Sequence, residues 1–519
     1  MTAADWFVQG LKERGVEWIA TLCGHGLDPL YQAARRAGLR LIDTRNEQTA
    51  SYMAACAGRL RRRPGVAAVS SGVAHVIALA GVADAGMDGS PMLLVSGAAA
   101  VKTRGMGHFQ DLDQVAAAAP LACYARLIDC PERVLEILDQ AWRAATETPG
   151  PAHLTFPMDV QTAEVPLERL VRPMPRPARW VREGDLGETA KALASAARPL
   201  VVAGNGVYYA GWGEALVAFC ERFAVPLVAP IWDRVWAGRP SEVFMGVVGA
   251  ATGGPRLLED ADCVVMAGAV PDYRVGYLQP GAIRADASVV HLNWGWDELG
   301  RIYEQVGGRD HREWLAEARQ RRDCFRQAVW EWGRKEAAGR THAIHIIEAL
   351  RQTITEQTLL LVDGGSIGQW AHHLLSDRYC GQWLSCGRSA VVGWGIAGAM
   401  AARLCYPEAP ILLLSGDGAF TFAVAELECA VRQKLPFTAV VADDQGWGIT
   451  RAGHLEKFGE PIASQLGPIA FDRLAEALGA HGVRIEQPGA IAAAIRQALG
   501  APRVTVIHVP ITGGNPAVT

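Results

Sequence analysis

The sequence predicts an α/β protein of three doubly wound, parallel-sheet domains, on three observations. Short apolar runs rich in Val, Ile and Leu alternate with helix-like segments, which implies parallel strands covered by helices on both faces. The chain has 519 residues, half of them hydrophobic, enough for several cores and about three domains. The stretch 411–448, ILLLSGDGAFTFAVAELECAVRQKLPFTAVVADDQGWG, reads as strand, helix, strand, with glycines and acids closing each strand. Open α/β sheets bind ligands at that edge. A phosphate alone needs no acid pair, whereas a phosphate bridged to Mg²⁺ does. Either loop alone fits a solvated turn; together Asp417 and Asp444 point to a metal with a phosphorylated ligand.

Residues 1–160 form the first domain. Strand-like segments begin at Val16, Leu39, Val66, Pro91 and Pro151, and a helix begins at Glu47. Residues 161–185, with prolines at 166, 173, 175 and 177, cannot hold a regular element and read as a linker. The second domain, 186–338, carries strands RPLVVAG, PLVAP, DCVVMAG and SVVHL. Its GNGVYY at Gly204 has Tyr209 in place of the third glycine of a dinucleotide loop, so it reads as a tight strand-to-helix turn. From Asp310 to Ala338 the spacing of Trp314, Ala318 and Phe325 gives a solvated connector helix. The third domain, 339–519, repeats the first domain's alternation: TLLLVDGGS, a glycine-rich helix from Gly393, the 411–448 unit, and a closing helix and strand RVTVIHVP. One ancestral sheet used twice, with a site between its copies, is the expectation.

The bulk numbers exclude several classes. Net charge is −4 with dispersed Lys and Arg, which gives no reason to expect nucleic acid or an anionic membrane as partner. The run Arg59–Arg63 reads as a solvated helix end. The N-terminus has no basic region followed by an apolar core, and no apolar run reaches bilayer length. Eleven cysteines without a CxxC pair read as reduced core thiols of a cytoplasmic protein. His342 with His345, and His372 with His373, lack acidic or thiol partners at ligand spacing and read as surface or packing residues.

GDG at Gly416 followed after a helix by DDQGWG resembles the cofactor motif of thiamine diphosphate (ThDP)-dependent enzymes. The resemblance spans the chain through LCGHGLDPLYQA, LIDTRNEQTASYMA, GVADAGMDGSPMLLVSG, GHFQDLDQVAAAAPL and VVGWGIAGAMAARL. It is nearest the acetolactate synthase, benzaldehyde lyase and 2-hydroxyacyl-CoA lyase group, and implies pyrimidine-binding, central and diphosphate-binding domains in that order. It implies that Asp417, Asp444 and the Gly446 carbonyl hold Mg²⁺. Gly416, Gly418 and Ala419 would receive the diphosphate, with Gly365 and Ser366 touching it from the neighbouring strand. Val392 would prop the bent cofactor, and the Ala390 carbonyl would accept from its amino group.

Glu47 matches the family's catalytic glutamate, which hydrogen-bonds N1′ of the aminopyrimidine and favours the tautomer that takes the thiazolium C2 proton. Thr44-x-x-Glu47 equally fits a helix capping box. Gln110 and His25 match residues that handle protons at a substrate oxygen, with His108 and Gln114 as weaker neighbours. The implied activity makes or breaks a C–C bond next to the carbonyl of a 2-oxo acid, aldehyde or hydroxyketone, in a homodimer or homotetramer whose subunits share each cofactor. The alternatives are a 2-hydroxyacyl-CoA lyase or oxalyl-CoA decarboxylase, disfavoured by the short tail ITGGNPAVT, and a non-catalytic ThDP-binding protein. Two departures stand out. Asp443-Asp444 replaces Asn-Asn, adding charge beside a diphosphate, and Ser71-Gly72-Val73-Ala74 stands where relatives carry a GPG turn.

Overall fold

A computed structural model describes residues 1–173, 182–234, 240–249, 254–378 and 383–513. Its strands form three sheets, each parallel throughout. The first contains β1 (Trp18–Leu22), β2 (Arg40–Asp43), β3 (Gly65–Val69), β4 (Met92–Ala98), β5 (Tyr124–Leu127) and β6 (Pro151–Pro157), in the order β2-β1-β3-β4-β6-β5. The second contains β7 (Pro199–Ala203), β8 (Leu227–Pro230), β9 (Phe244–Val248), β10 (Cys263–Ala267) and β11 (Ser288–His291), in the order β11-β10-β7-β8-β9. The third contains β12 (Leu359–Asp363), β13 (Trp383–Ser385), β14 (Ile411–Gly416), β15 (Thr438–Asp443), β16 (His481–Arg484) and β17 (Thr505–Pro510), in the order β13-β12-β14-β15-β17-β16.

Counted from its own first strand, the third sheet has the same order as the first, so the repeated plan expected from the alternation is present. Central strands such as β7 and β15 are buried at every position, as sheets covered on both faces require. In each sheet the strand order reverses beside the first strand: at β1/β3, β7/β10 and β12/β14. Such switch points open a crevice at the carboxyl ends of the strands.

The chain packs as two compact units: Met1–Val181 with Ile396–Pro407 and Ala423–Leu435, and Arg182–Gly395 with Glu408–Phe422 and Pro436–Thr519. In the first unit, the Arg45 N–H donates to both Glu426 oxygens at 3.0 Å, and the Arg432 guanidinium forks onto Asp43 at 2.9 and 2.6 Å. These bonds tie the crossover helix Glu426–Arg432 to the first sheet. Arg59 departs from the sequence expectation. It is only 3% exposed, with Nε 2.8 Å from Asp88, so the helix Glu47–Arg61 buries the first cation of its basic end against helix Val73–Asp88.

In the second unit, helix Arg312–Ala337 buries Trp314, Leu315 and Ala318 in the core under the middle sheet, and Val329 and Ala337 in the core under the third. The expected connector helix therefore carries an apolar face at each end. GNGVYY is a strand-to-helix turn, with helix Asn205–Ala210 starting directly after β7 and Gly204. A Cβ on Gly204 would lie 2.5 Å from Ala269 Cα, so backbone fills the crevice at that switch point. Residues 174–181 of the expected linker, including Pro175 and Pro177, lie outside the described residues. Among the described residues no helix is long and apolar enough to cross a membrane.

Candidate active site

The switch point of the third sheet is where the sequence placed its chemistry. β12 and β14 approach so closely beyond their ends that a Cβ on Gly364, whose φ is +124°, would lie 2.8 Å from the Gly416 nitrogen. Only glycine meets both conditions. The chain then leaves each strand into a helix: Ser366–Leu374 from a Gly365 cap, and Asp417–Thr421 from a Gly416 cap. The loop after β15 leads into a third helix, Gly448–Phe458. The leading N–H groups of a helix lack intrahelical partners and carry partial positive charge, so ends facing one space favour an anion.

That space is a cavity of about 460 Å³. Gly365, Ser366, Ala390, Val392 and Gly416 line it, as do Asp417, Gly418, Ala419, Asp444 and Gly446. All ten residues that the sequence assigned to this region therefore meet around one volume. A Cβ on Gly416 would meet nothing within 4 Å, which leaves its face of the wall open.

The acids are arranged unevenly. Asp417 is 4% exposed and accepts the Gly446 N–H at 3.1 Å. Burial, and then the charge of Asp444, push its carboxyl up to about 7. Asp444 is also raised by burial, against the opposing charge of Arg451. Arg451 Nη2 lies 2.8 Å from Asp444 Oδ2, and Nη1 donates to the Asp444 carbonyl at 3.0 Å. Asp443 does not join the cavity wall; its Oδ2 meets His508 Nε2 at 2.9 Å. Each acid of the pair thus has its own nitrogen partner.

The turn carrying Ala390 and Val392 is fixed by Asp363, the last residue of β12. Its buried carboxylate accepts the Gly393 and Gly395 N–H groups at 3.0 and 2.8 Å. Burial outweighs those bonds and raises its pKa to about 7. Ala390 sits at φ +54°, with its N–H donating to the Gly387 carbonyl at 3.1 Å.

The donor set fits a diphosphate bridged to a hard cation. Among the described residues no three His, Cys, Asp or Glu side chains are grouped to hold a metal. Two carboxylates and a main-chain carbonyl nevertheless match the mixed set that Mg²⁺ takes with phosphate and water oxygens. A carboxylate pushed up to about 7 by burial, and then by the charge of Asp444, is the group that a cation would relieve.

Three sequence models match the chain: thiamine pyrophosphate enzyme, N-terminal TPP binding domain, over residues 1–117; its central domain over 186–308; and its C-terminal TPP binding domain over 363–509. The chain belongs to the thiamine pyrophosphate-dependent enzymes. It is similar to the acetolactate synthase large subunit IlvG of Mycobacterium tuberculosis, at 27% identity over 98% of this chain and 95% of that protein. It is also similar to 2-hydroxyacyl-CoA lyase 2 of Caenorhabditis elegans, at 26% identity over 92% and 84%. Acetolactate synthase of Bacillus subtilis matches at 27% identity over 98% and 93%.

The N-terminal TPP-binding region brings together a second group. Ser71 Oγ donates to Gln110 Oε1 at 2.8 Å, and Ser70 Oγ to the His25 carbonyl at 2.9 Å. The His25 ring stacks on His108 at 5.9 Å and meets Phe109 edge to face at 5.4 Å; its Nε2 is buried and has no hydrogen-bond partner among the described residues. Gly72 N–H donates to Gln114 Oε1 at 2.8 Å, and Gln114 Nε2 donates to the Gly97 carbonyl at 2.9 Å. His25, Gln110 and Gln114 thus hold the Ser71-Gly72 turn, and His108 joins the group through its stack on the His25 ring.

Glu47 is the first residue of helix Glu47–Arg61, and the capping-box alternative fails. The cap is Asn46, whose side chain accepts the Gln48 N–H at 2.8 Å, while Thr44 Oγ1 donates to the Asn46 carbonyl at 2.9 Å. Among the described residues the Glu47 carboxylate has no hydrogen bond or ion pair. In this thiamine pyrophosphate-dependent enzyme, sequence reasoning missed Asp363, Arg451 and His508, and noted Ser71 only as part of an altered turn, without its bond to Gln110. Asp363 was visible in LLLVDGG as an acid ending an apolar strand. Arg451, one helical turn into the segment after DDQGWG, was the cation to look for beside a doubled acid.

Proposed function

We propose that the protein is a ThDP- and Mg²⁺-dependent lyase or carboligase that breaks or forms a C–C bond next to a carbonyl, acting on 2-oxo acids, aldehydes or 2-hydroxy ketones. The observation that carries this reading is the cavity at the β12/β14 switch point, which is lined by all ten residues assigned to the cofactor and its cation. Its family membership and its acetolactate synthase relatives support it. Bound there, ThDP supplies an acidic thiazolium carbon that can hold an electron pair beside a former carbonyl.

The chain's own residues do the remainder. Asp417, Asp444 and the Gly446 carbonyl hold the cation, and the helix starts at Gly418-Ala419 and Gly365-Ser366 receive the diphosphate. Val392 and the Ala390 carbonyl, on the turn anchored by Asp363, set the cofactor's bend. Glu47 holds a proton at N1′ of the aminopyrimidine, for which a carboxylate free of structural bonds is suited. At the substrate oxygen His25 gives and takes the proton and Gln110, bonded to Ser71, donates a hydrogen bond from its amide.

A homodimer or homotetramer fits helix Val73–Asp88, which exposes Val73, Val76, Ile77 and Met87. The free cysteines among the described residues suit a cytoplasmic setting. The lyase relatives favour a second reading, 2-hydroxyacyl-CoA cleavage. Product analysis after parallel incubation with pyruvate, benzoin-type hydroxyketones and 2-hydroxyacyl-CoA, with ThDP and Mg²⁺, tests both. New C–C bonded or cleaved products that depend on ThDP are expected, and the consumed substrate selects the reading. No turnover of any substrate by protein with bound ThDP would favour a non-catalytic binder.

A further inference from the structure

The doubled acid after β15 poses a physical problem that the cavity itself does not solve. Asp417, Asp443 and Asp444 are all buried or nearly so, and three carboxylates in one low-dielectric region repel one another and the anion they are meant to help hold. Asp444 is matched by Arg451. Asp443 has a different partner. Its Oδ2 meets His508 Nε2 at 2.9 Å, and its Oδ1 accepts the Gln445 N–H at 3.1 Å, so both oxygens are engaged. His508 is fully buried on β17, the strand paired with β15, and its other nitrogen, Nδ1, meets Asp472 Oδ1 at 3.0 Å. The edge of Phe471 closes the ring in at 5.3 Å.

A carboxylate accepts and cannot donate, so an imidazole between two carboxylates carries a hydrogen on each nitrogen. Arg484 Nη1, 3.4 Å from Nδ1, is the longer contact and leaves that assignment in place. His508 meets Asp443 from β17, and neither residue lines the cavity that Asp417 and Asp444 line.

We propose that Asp443, His508 and Asp472 form a positioning triad for the metal loop: His508, donating from both nitrogens, draws the Asp443 carboxylate away from the cavity and balances its charge, so that only Asp417 and Asp444 face the cation. His508 touches neither metal nor substrate and acts through Asp443; Asp472 orients His508. The inference rests on the cavity being the Mg²⁺–ThDP site. It makes the Asp at 443 and the His at 508 one unit: an uncharged residue at 443 needs no histidine, and the histidine's loss is harmful only while Asp443 remains.

The test is a double-mutant cycle read by binding. Calorimetric titration of Mg²⁺ into apo protein with excess ThDP, checked by ThDP quenching of tryptophan fluorescence, gives the affinity without reference to turnover. His508→Gln is expected to weaken Mg²⁺ binding at least about tenfold, the scale on which residues behind metal ligands act. Adding Asp443→Asn to His508→Gln restores affinity to within about threefold of the unmodified protein, a rescue that a general packing role for His508 would not allow. Asp472→Asn gives a smaller loss with the same suppression, and keeps the test available should His508→Gln melt at a markedly lower temperature. Unchanged affinity in both His508→Gln and Asp472→Asn, or failure of Asp443→Asn to suppress a measured loss, overturns the proposal. An unmodified protein that binds no Mg²⁺–ThDP refutes the underlying reading of the cavity, a result distinct from a failed rescue.

Discussion

Two glycines at the cavity separate the cost of folding from the cost of binding. Gly416 caps the helix Asp417–Thr421 in an extended conformation, φ −77° and ψ 158°, that alanine adopts freely. A Cβ there meets no atom within 4 Å, so Gly416→Ala costs the fold only a weaker cap, on the order of 1 kcal/mol. The methyl stands on the open wall where the diphosphate must approach. If overpacking a filled site costs about 1–3 kcal/mol, ThDP affinity falls roughly 10- to 100-fold while the melting temperature drops by no more than about 3 °C. Gly364→Ala behaves in the opposite way. Its φ of +124° lies outside alanine's regions, and its Cβ would sit 2.8 Å from the Gly416 backbone nitrogen. Strain of about 1–3 kcal/mol and a comparable clash fall on the fold itself, so the apo protein melts at least about 5 °C lower. Scanning fluorimetry of apo protein and calorimetric titration of ThDP with Mg²⁺ measure the two quantities. A Gly416→Ala variant that binds as tightly as the unmodified protein would refute the placement of the diphosphate against this wall.

Three further outcomes follow from the same geometry. Asp363 is raised from 3.8 to about 7, so the folded state holds its proton more tightly. Its contribution to stability is full below about pH 4 and lost as pH rises through 7, about 4 kcal/mol in all. Hydrogen exchange of the segment holding Gly393 and Gly395, corrected for intrinsic rates, shows this slope in the unmodified protein and not in Asp363→Asn; equal slopes contradict it. His75, fully buried against His153 and lowered from 6.5 to about 4 by burial, has the opposite sign. Its stabilisation is present above pH 6.5 and falls by about 3 kcal/mol as pH drops towards 4, so the urea midpoint shifts less between pH 7.5 and 5 in His75→Gln. Asp444→Asn keeps an oxygen for the cation and removes one negative charge beside the diphosphate. It is expected to bind Mg²⁺–ThDP within about tenfold of the unmodified protein, and complete loss on titration would contradict that.

The fold and much of the site were legible because they are written locally. In a parallel sheet, each strand's carboxyl end is followed at once by the loop that binds. Gly365-Ser366, GDG and DDQGWG therefore announce themselves as glycines and acids after apolar runs, and the structure gathers them at one switch point. Glu47 was legible as a candidate but its local role was not: Asn46 took the cap because its short amide reaches the Gln48 N–H, leaving Thr44 to bond the backbone before the helix. Arg59 was misread because basic runs usually end in solvent, and its acid partners Asp84 and Asp88 sit on a different helix. His508 lies 65 residues from Asp443 and reaches it only because β17 pairs with β15. That pairing is a property of the sheet and not of the sequence near either residue. Asp363 was read as part of a strand, since nothing in LLLVD tells that its carboxylate will receive two N–H groups of a turn some thirty residues later.

In the proposed function the cavity would anchor ThDP and Glu47 would activate it. Hydrogen–deuterium exchange at C2 of ThDP, followed by NMR with Mg²⁺ present, tests that directly because it needs no substrate. The unmodified protein is expected to accelerate exchange at least about 100-fold over free ThDP, and Glu47→Gln to bind the cofactor but lose that acceleration. Exchange no faster than in free solution, or equally fast in Glu47→Gln, would contradict the account.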